Sequence, residues 1–227
     1  MKRAIIVAAH PDDEVLGCGG VISKYCAMNV EFMVVFVGEG STCRFETLAG
    51  EAPLLAIQQR SGFAEKALWS LGVKEFEFHD LPCGRLDQVP IISINKIIEK
   101  AIFAFKPDTV FTHSPSDVNN DHKIVFNSTL MATRPGAQNH VARLLCYEVL
   151  SSSEWAFSNG FAPNHFEEIR QVDLDRKWEA LACYESEIKN YPFPRSREGI
   201  QALAMMRGMQ AGLQYAEAFH LVREIRR

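Results

Sequence analysis

Long hydrophobic runs are missing from this 227-residue chain. After Met1-Lys2-Arg3 the first apolar stretch, Ala4 to Ala9, gives way to charge within about six residues, too short for a signal-peptide core or a membrane helix. Basic clustering is missing as well: 24 Lys and Arg face 28 Asp and Glu, for a net charge of −4. No basic stripe with interleaved aromatics appears, so general nucleic-acid binding is not expected. The six cysteines, at 18, 26, 43, 83, 146 and 183, form no CxxC and no disulfide-framework spacing. They are expected to be reduced thiols of a cytoplasmic protein. Internal repeats and low-complexity tracts are absent. The dinucleotide fingerprint GxGxxG is not met by Gly17, Gly19 and Gly20, which are instead expected to let the first helix pack close to a sheet. With 47% hydrophobic residues, the chain suffices for one full α/β core and not for two large domains, so 1–227 is expected to form a single domain.

What is present is concentrated. From Ala8 to Gly20 the chain reads AAHPDDEVLGCGG, with one imidazole and three carboxylates in the five positions from His10 to Glu14. The preceding run, with Ile5, Ile6 and Val7 at its centre, has the pattern of a strand buried on both faces. Pro11 removes an N–H and ends the strand, so Asp12, Asp13 and Glu14 fall in a tight turn. Adjacent carboxylates repel, and a divalent cation neutralises them with few parts. Imidazole nitrogen and carboxylate oxygen with one position open to water make a hydrolytic zinc site, and ferrous iron suits the same donors. His10 and Asp13 offer two ligands. A second apolar run, Thr109 to Phe111, leads into HSPSDVNNDH, in which His122 is the natural third. The bland alternative is a polar turn in which Asp12 or Asp13 caps a helix.

Apolar runs alternate with helical patterns: Ala4–Ala9, Cys18–Met28, Val30–Val37, Leu54–Leu71, Glu75–Phe78, Ile91–Phe105, Asp108–Thr112 and Lys123–Thr133. Repeated βαβ units of this kind predict a three-layer, Rossmann-like doubly wound α/β fold with a mostly parallel sheet. In such sheets the first and fourth strands lie side by side and ligands bind beyond their carboxyl ends, where both motifs fall. Asp173–Ile188 and Arg195–Ile225 are read as closing helices, with Met205, Met206 and Met209 as helix core. The stretch from Gly38 to Pro53 is long enough for a lid or specificity loop. Ser151 to Pro163 carries Trp155, Phe157 and Phe161, which suit either sugar rings or, more simply, packing under the C-terminal helices.

AHPDDE after the first strand and a downstream DH element after the fourth resemble the PIG-L or LmbE-like metal-dependent N-deacetylases. Leu71-Gly72-Val73, Arg134-Pro135, Tyr147-Glu148 and Tyr215 to Phe219 are weaker echoes of the same family. The resemblance covers most of the chain and implies an LmbE-like fold. It implies removal of acetyl from an N-acetylglucosamine-type sugar or conjugate, a small-molecule substrate, with no membrane insertion. By the same resemblance His10, Asp13 and His122 match zinc ligands, and Asp12 matches the general base that acts on the metal-bound water. Arg60 matches an arginine that reaches toward Asp12 or the substrate. Homo-oligomers are common in the family. The chain departs from a common pattern at Asn119, where many members carry histidine; an amide can donate to an oxyanion but cannot lend a proton. The general acid is then Asp12 itself or, from another direction, His113 or His140. An amidase acting on another sugar-conjugate amide, or a catalytically weak metal- or ligand-binding homologue, are the competing readings.

Overall fold

A computed structural model describes residues 1–48, 50–136 and 141–226. Strand β1 (Arg3–Ala8) is shielded on both sides: Ala4, Ile6 and Ala8 join one core cluster, and Ile5, Val7 and the following Ala9 join the other. A strand can be apolar on both faces only if both are covered, and here helices cover them. One layer holds α1 (Asp13–Cys26), α2 (Glu51–Leu71), α5 (Gln171–Ala182) and α6 (Arg197–Ala211); the other holds α3 (Ile91–Phe105) and α4 (Asn120–Ala132).

The remaining strands are β2 (Glu31–Gly38), β3 (Glu75–Leu81), β4 (Thr109–His113), β5 (Arg143–Tyr147), β6 (His165–Glu168) and β7 (Ala216–Glu224). They form one seven-stranded sheet in the order β3-β2-β1-β4-β5-β7-β6, parallel from β3 to β5 and antiparallel at β7 and β6. This is the three-layer, doubly wound, mostly parallel architecture that the alternating pattern predicts. β1 and β4 are neighbours, with Ile6 opposite Phe111, so the segments after Ala8 and after His113 leave the sheet beside each other. No helix among the described residues is long and apolar enough to cross a membrane.

The C-terminal expectation fails. The chain from Arg195 to Ile225 is not one helix: α6 stops at Gly212, whose φ of 72° closes the helix, and β7 then pairs with β5. Tyr215, Phe219 and Val222 have a spacing that fits a helix face as well as a strand, and the open edge of β5 decides the outcome. Met205, Met206 and Met209 are exposed, Met209 to 74%, and do not form helix core. The helix read as Asp173–Ile188 ends at Ala182, and α1 begins at Asp13 rather than near Cys18. Trp155 and Phe157 are exposed rather than packed beneath helices, whereas Phe161 lies under the Arg207 guanidinium.

The glycines of α1 answer to more than the sheet. A Cβ at Gly17 would lie 2.3 Å from the Tyr147 ring on β5, one at Gly19 would meet Lys177 of α5 at 2.8 Å, and one at Gly20 would meet Glu217 of β7 at 3.2 Å. Through these gaps Lys177 donates to the Leu16 carbonyl, Glu217 accepts from the Gly20 and Val21 N–H groups, and the two charges pair at 2.6 Å. Leu16 and Gly20 are the two ends of one i to i−4 helical step, so each end meets an opposite charge. Gly17→Ala should lower stability by about 1–3 kcal/mol through overpacking against Tyr147. Denaturant titration would measure it, and an unchanged midpoint would mean that the tyrosine yields at no cost.

Candidate active site

The site lies where β1 and β4 end. Pro11 breaks the ladder, and Asp12 then adopts φ 124°, a conformation that costs a non-glycine residue about 1–3 kcal/mol. Three contacts hold it there. The Asp12 N–H donates to Glu14 Oε2 at 3.0 Å, and Asp12 Oδ2 meets Arg195 Nη1 at 2.6 Å and Arg60 Nη2 at 3.0 Å. Asp12 precedes α1 without its side chain capping the helix. Asp13 Oδ2 instead accepts from the His10 N–H at 2.8 Å. The capping account of the HPDDE turn is therefore not what the chain does.

His10, Asp13 and His122 are brought together, each with a donor atom within 4.8 Å of the others and all three buried. Asp13 Oδ2 stands 3.5 Å from His10 Nδ1 and 3.4 Å from His122 Nε2. The other nitrogen of each imidazole faces a further carboxylate: Asp121 Oδ2 at 2.9 Å from His10 Nε2, and Asp117 Oδ2 at 3.2 Å from His122 Nδ1. Asp121 is itself fixed by the Gly84 and Leu86 N–H groups, and Asp117 by the hydroxyls of Ser152 and Ser153 and the Asn119 N–H. Carboxylates behind ligand histidines orient the ring and raise its basicity.

The electrostatics test whether a cation fits. Burial acts to lower the His10 pKa, but the hydrogen bonds to Asp121 and Asp13 outweigh it and lift it to about 10. Burial likewise opposes His122, and Asp13 and Asp117 overcome it, raising the ring to about 9. Asp13 is held well below the carboxylate range because the His122, His113 and His10 rings outweigh its burial. The chain alone thus gathers two protons around Asp13, the charge of one divalent ion, and does so on a two-imidazole, one-carboxylate donor set. The residues fit a divalent metal.

Arg60 reaches the site as the resemblance implies. It is 4% exposed, donates to the Pro11 carbonyl at 2.7 Å and pairs with Glu187 as well as Asp12. Asn119 lines the cleft and caps α4, its Oδ1 accepting from the Asp121 N–H at 2.9 Å, which commits the oxygen and leaves the amide NH₂ as donor. His113 does not offer a proton. Its Nε2 accepts from the Ala9 N–H at 2.8 Å, and burial first, then the neighbouring His122 charge, push its pKa well below the usual imidazole value. It stacks on His122 with ring centroids 3.9 Å apart and serves as a wall. His140 lies outside the described residues. Glu14 is lifted to about 8 by burial, against the hydrogen bonds from the Tyr184 hydroxyl and the Asp12 N–H; its work is to hold Asp12.

Sequence reasoning missed Arg195, Glu187, Asp117 and Asp121 as site groups. The last two were visible as carboxylates within HSPSDVNNDH, but Arg195 and Glu187 come from the segment after α5 and carry no local signature. Burial raises the Asp12 pKa, and Arg195 and Arg60 only partly offset it. Asp12, Arg60, Glu187 and Arg195 line an open cleft of about 540 Å³ with His10, Asp13, Asn119 and His122, and Cys43, Arg44, Cys83 and Ser151 are on its walls.

The chain is similar to known proteins in sequence and fold. Residues 5–133 match the family described as GlcNAc-PI de-N-acetylase, PIG-L. Over 231 residues the chain is 23% identical to the diacetylchitobiose deacetylase of Thermococcus kodakarensis, spanning 98% of this chain and 84% of that protein. The solved structure of N,N'-diacetylchitobiose deacetylase from Pyrococcus horikoshii matches with a TM-score of 0.77 at 22% identity, covering 98% of this chain and 84% of that one. GalB, the 4-carboxy-2-hydroxymuconate hydratase of Pseudomonas putida KT2440, matches with a TM-score of 0.78 at 22% identity, covering 100% and 98%.

The imidazoles set a pH dependence for the metal-free protein. Because His10 and His122 hold protons up to about 10 and 9 when folded and an unfolded imidazole titrates near about 6.5, their stabilisation is complete below that value and is lost as pH rises through 9 to 10. Melting temperature in excess chelator should fall from about pH 7 to 10 more steeply for the wild type than for His122→Asn. Equal slopes would show that Asp13 and Asp117 hold no proton on that ring.

Proposed function

The chain belongs to the GlcNAc-PI de-N-acetylase (PIG-L) family, and on that footing we propose that it is a metal-dependent hydrolase that removes acetyl from an N-acetylglucosamine-type sugar or conjugate. The observation that carries this reading is the convergence of His10, Asp13 and His122 beside a second buried carboxylate, Asp12, in one cleft. Holding a metal requires only the first three. A strained aspartate clamped by two arginines next to them is an investment that a binding protein has no use for.

His10, Asp13 and His122 would hold the ion, zinc or ferrous iron, which when bound supplies a water acidic enough to attack at neutral pH and polarises the acetamide carbonyl. Asp12 accepts the proton of the attacking water. Burial keeps that carboxylate more basic than a free aspartate, which suits a general base. Arg60 and Arg195 both grip Oδ2 and so fix the direction of Oδ1, to which we assign the proton. The Asn119 amide donates to the carbonyl oxygen as negative charge develops there. With His113 neutral and its Nε2 engaged, Asp12 returns the same proton to the amine nitrogen as the C–N bond breaks, releasing acetate. Asp117 and Asp121 act only through the rings they orient. The proposal takes 1–227 as one catalytic domain working in the cytoplasm.

A second reading is hydration of a carboxylated substrate, since a hydratase shares the fold and Arg44 and Arg195 line the cleft. The two are separated by product.

Acetate release should be assayed with N-acetylglucosamine, N,N'-diacetylchitobiose and glycan-linked conjugates. Turnover should vanish on metal removal and return with zinc or ferrous ion. Asp12→Asn should lower kcat by about 10²–10⁴, and Asn119→Ala by up to about 10²–10³. Acetate released equally by the Asp12→Asn protein would rule out Asp12 as the base, and acetate released from none of the substrates would end the deacetylase proposal.

A further inference from the structure

Two of the six cysteines meet at the cleft wall. Cys43, exposed in a short 3-10 turn (Thr42–Arg44), and Cys83, buried just beyond β3, place their sulfurs 3.2 Å apart although 40 residues separate them. No other pair of cysteine sulfurs among the described residues is in hydrogen-bonding contact.

The approach is built. The buried Glu39 carboxylate accepts from the N–H groups of Ser41 and Thr42, from the Thr42 hydroxyl, and at 2.7 Å from the Cys83 N–H. One side chain therefore sets both cysteine-bearing loops. Beyond Cys83, the Gly84 and Leu86 N–H groups bind Asp121, which holds His10 Nε2. Cys83 also converges with His10 and Asp121, donor atoms within 4.8 Å. A change at Cys83 is thus transmitted to the carboxylate that orients His10.

We propose that Cys43 and Cys83 are a dithiol modification site that closes to a disulfide, tying the two loops together and disturbing the Asp121–His10 contact. The sulfurs must approach by about 1.2 Å to reach disulfide length, a movement that the exposed turn can make. Cys43 reacts first, being the exposed thiol. The Cys83 thiol donates a hydrogen bond to it, and this, against burial and with help from Arg44, holds Cys43 below the usual thiol range. With a small-molecule disulfide RSSR as oxidant, the Cys43 thiolate attacks one sulfur and expels RS⁻. Cys83 then attacks Cys43 of the mixed disulfide and expels the second RS⁻. The two thiol protons pass to the two RS⁻ groups, and two electrons leave the protein. In a reducing compartment the pair rests as dithiol and closes on oxidation.

The test uses the full metal-loaded chain and oxidised glutathione. Free thiols should fall from six to four, the intact mass should drop by two hydrogen atoms, and peptide mapping should join the Cys43 and Cys83 peptides. Cys83→Ser should stop at a glutathione adduct on Cys43, and Cys43→Ser should form no disulfide. A disulfide mapped elsewhere, a persistent wild-type adduct on Cys43, or six remaining thiols would overturn the site. The coupling to His10, which rests on the metal site proposed above, predicts zinc affinity about tenfold or more weaker in the oxidised form. Unchanged affinity with the Cys43–Cys83 bond mapped would remove that half and leave the modification site standing.

Discussion

One oxygen atom organises this molecule. Asp13 Oδ2 lies within 3.5 Å of His10, His113 and His122 and accepts the His10 N–H. Three rings, from the ends of β1 and β4 and the first turn of α4, converge on it, and in a buried setting neither His10 nor His122 can leave without exposing an uncompensated charge. Everything that fixes the register of β1 against β4, down to Ile6 opposite Phe111, is in effect fixing the distance between those rings.

Around that centre lies a ring of paired charges with different contacts. Asp12, Glu187, Arg60, Arg195 and Arg44 form a network across the turn after β1, α2, the turn between β2 and α2 and the segment preceding α6. Two carboxylates and three guanidiniums share it, so the penalty that burial puts on the Asp12 charge is partly offset without locking that side chain to a single partner. Asn119 sits opposite as a helix cap whose donor is free to turn to a ligand. On the proposed reading, this division, one cluster for a cation and another for a reactive carboxylate, would let the two aspartates of a single dipeptide carry unlike roles.

The core and the first motif were legible because both are local. Ile5 to Val7 announce a doubly buried strand, Pro11 announces its end, and the alternation of elements through Ala132 gives the sheet order. The pairing of His10 with His122 was also readable, once the topology put two strand ends together, and Arg60 was readable through the family resemblance alone. The closing third was not. Tyr215, Phe219 and Val222 satisfy a helical and an extended pattern equally, and only the partner strand settles which one forms. Arg195 and Glu187 were invisible for a related reason: an isolated charge in an irregular segment has no periodicity, and its meaning comes from a residue 183 positions away. The glycines of α1 were read as serving the sheet, which Gly17 and Gly20 do against Tyr147 of β5 and Glu217 of β7, whereas Gly19 makes room for Lys177 of α5.

That ion pair has a bearing on the order of events in the cell. The helix that begins with Asp13 is braced at its middle by a carboxylate 197 positions beyond Gly20, on a strand flanked by β5 and β6. Until the ribosome has passed Glu217, His10, Asp13 and His122 are already made but that brace is not, and the sheet lacks a member inserted between two earlier ones. Maturation must therefore wait until Glu217 has been made, and a nascent chain stalled before it would present its acidic turn on an unsupported scaffold.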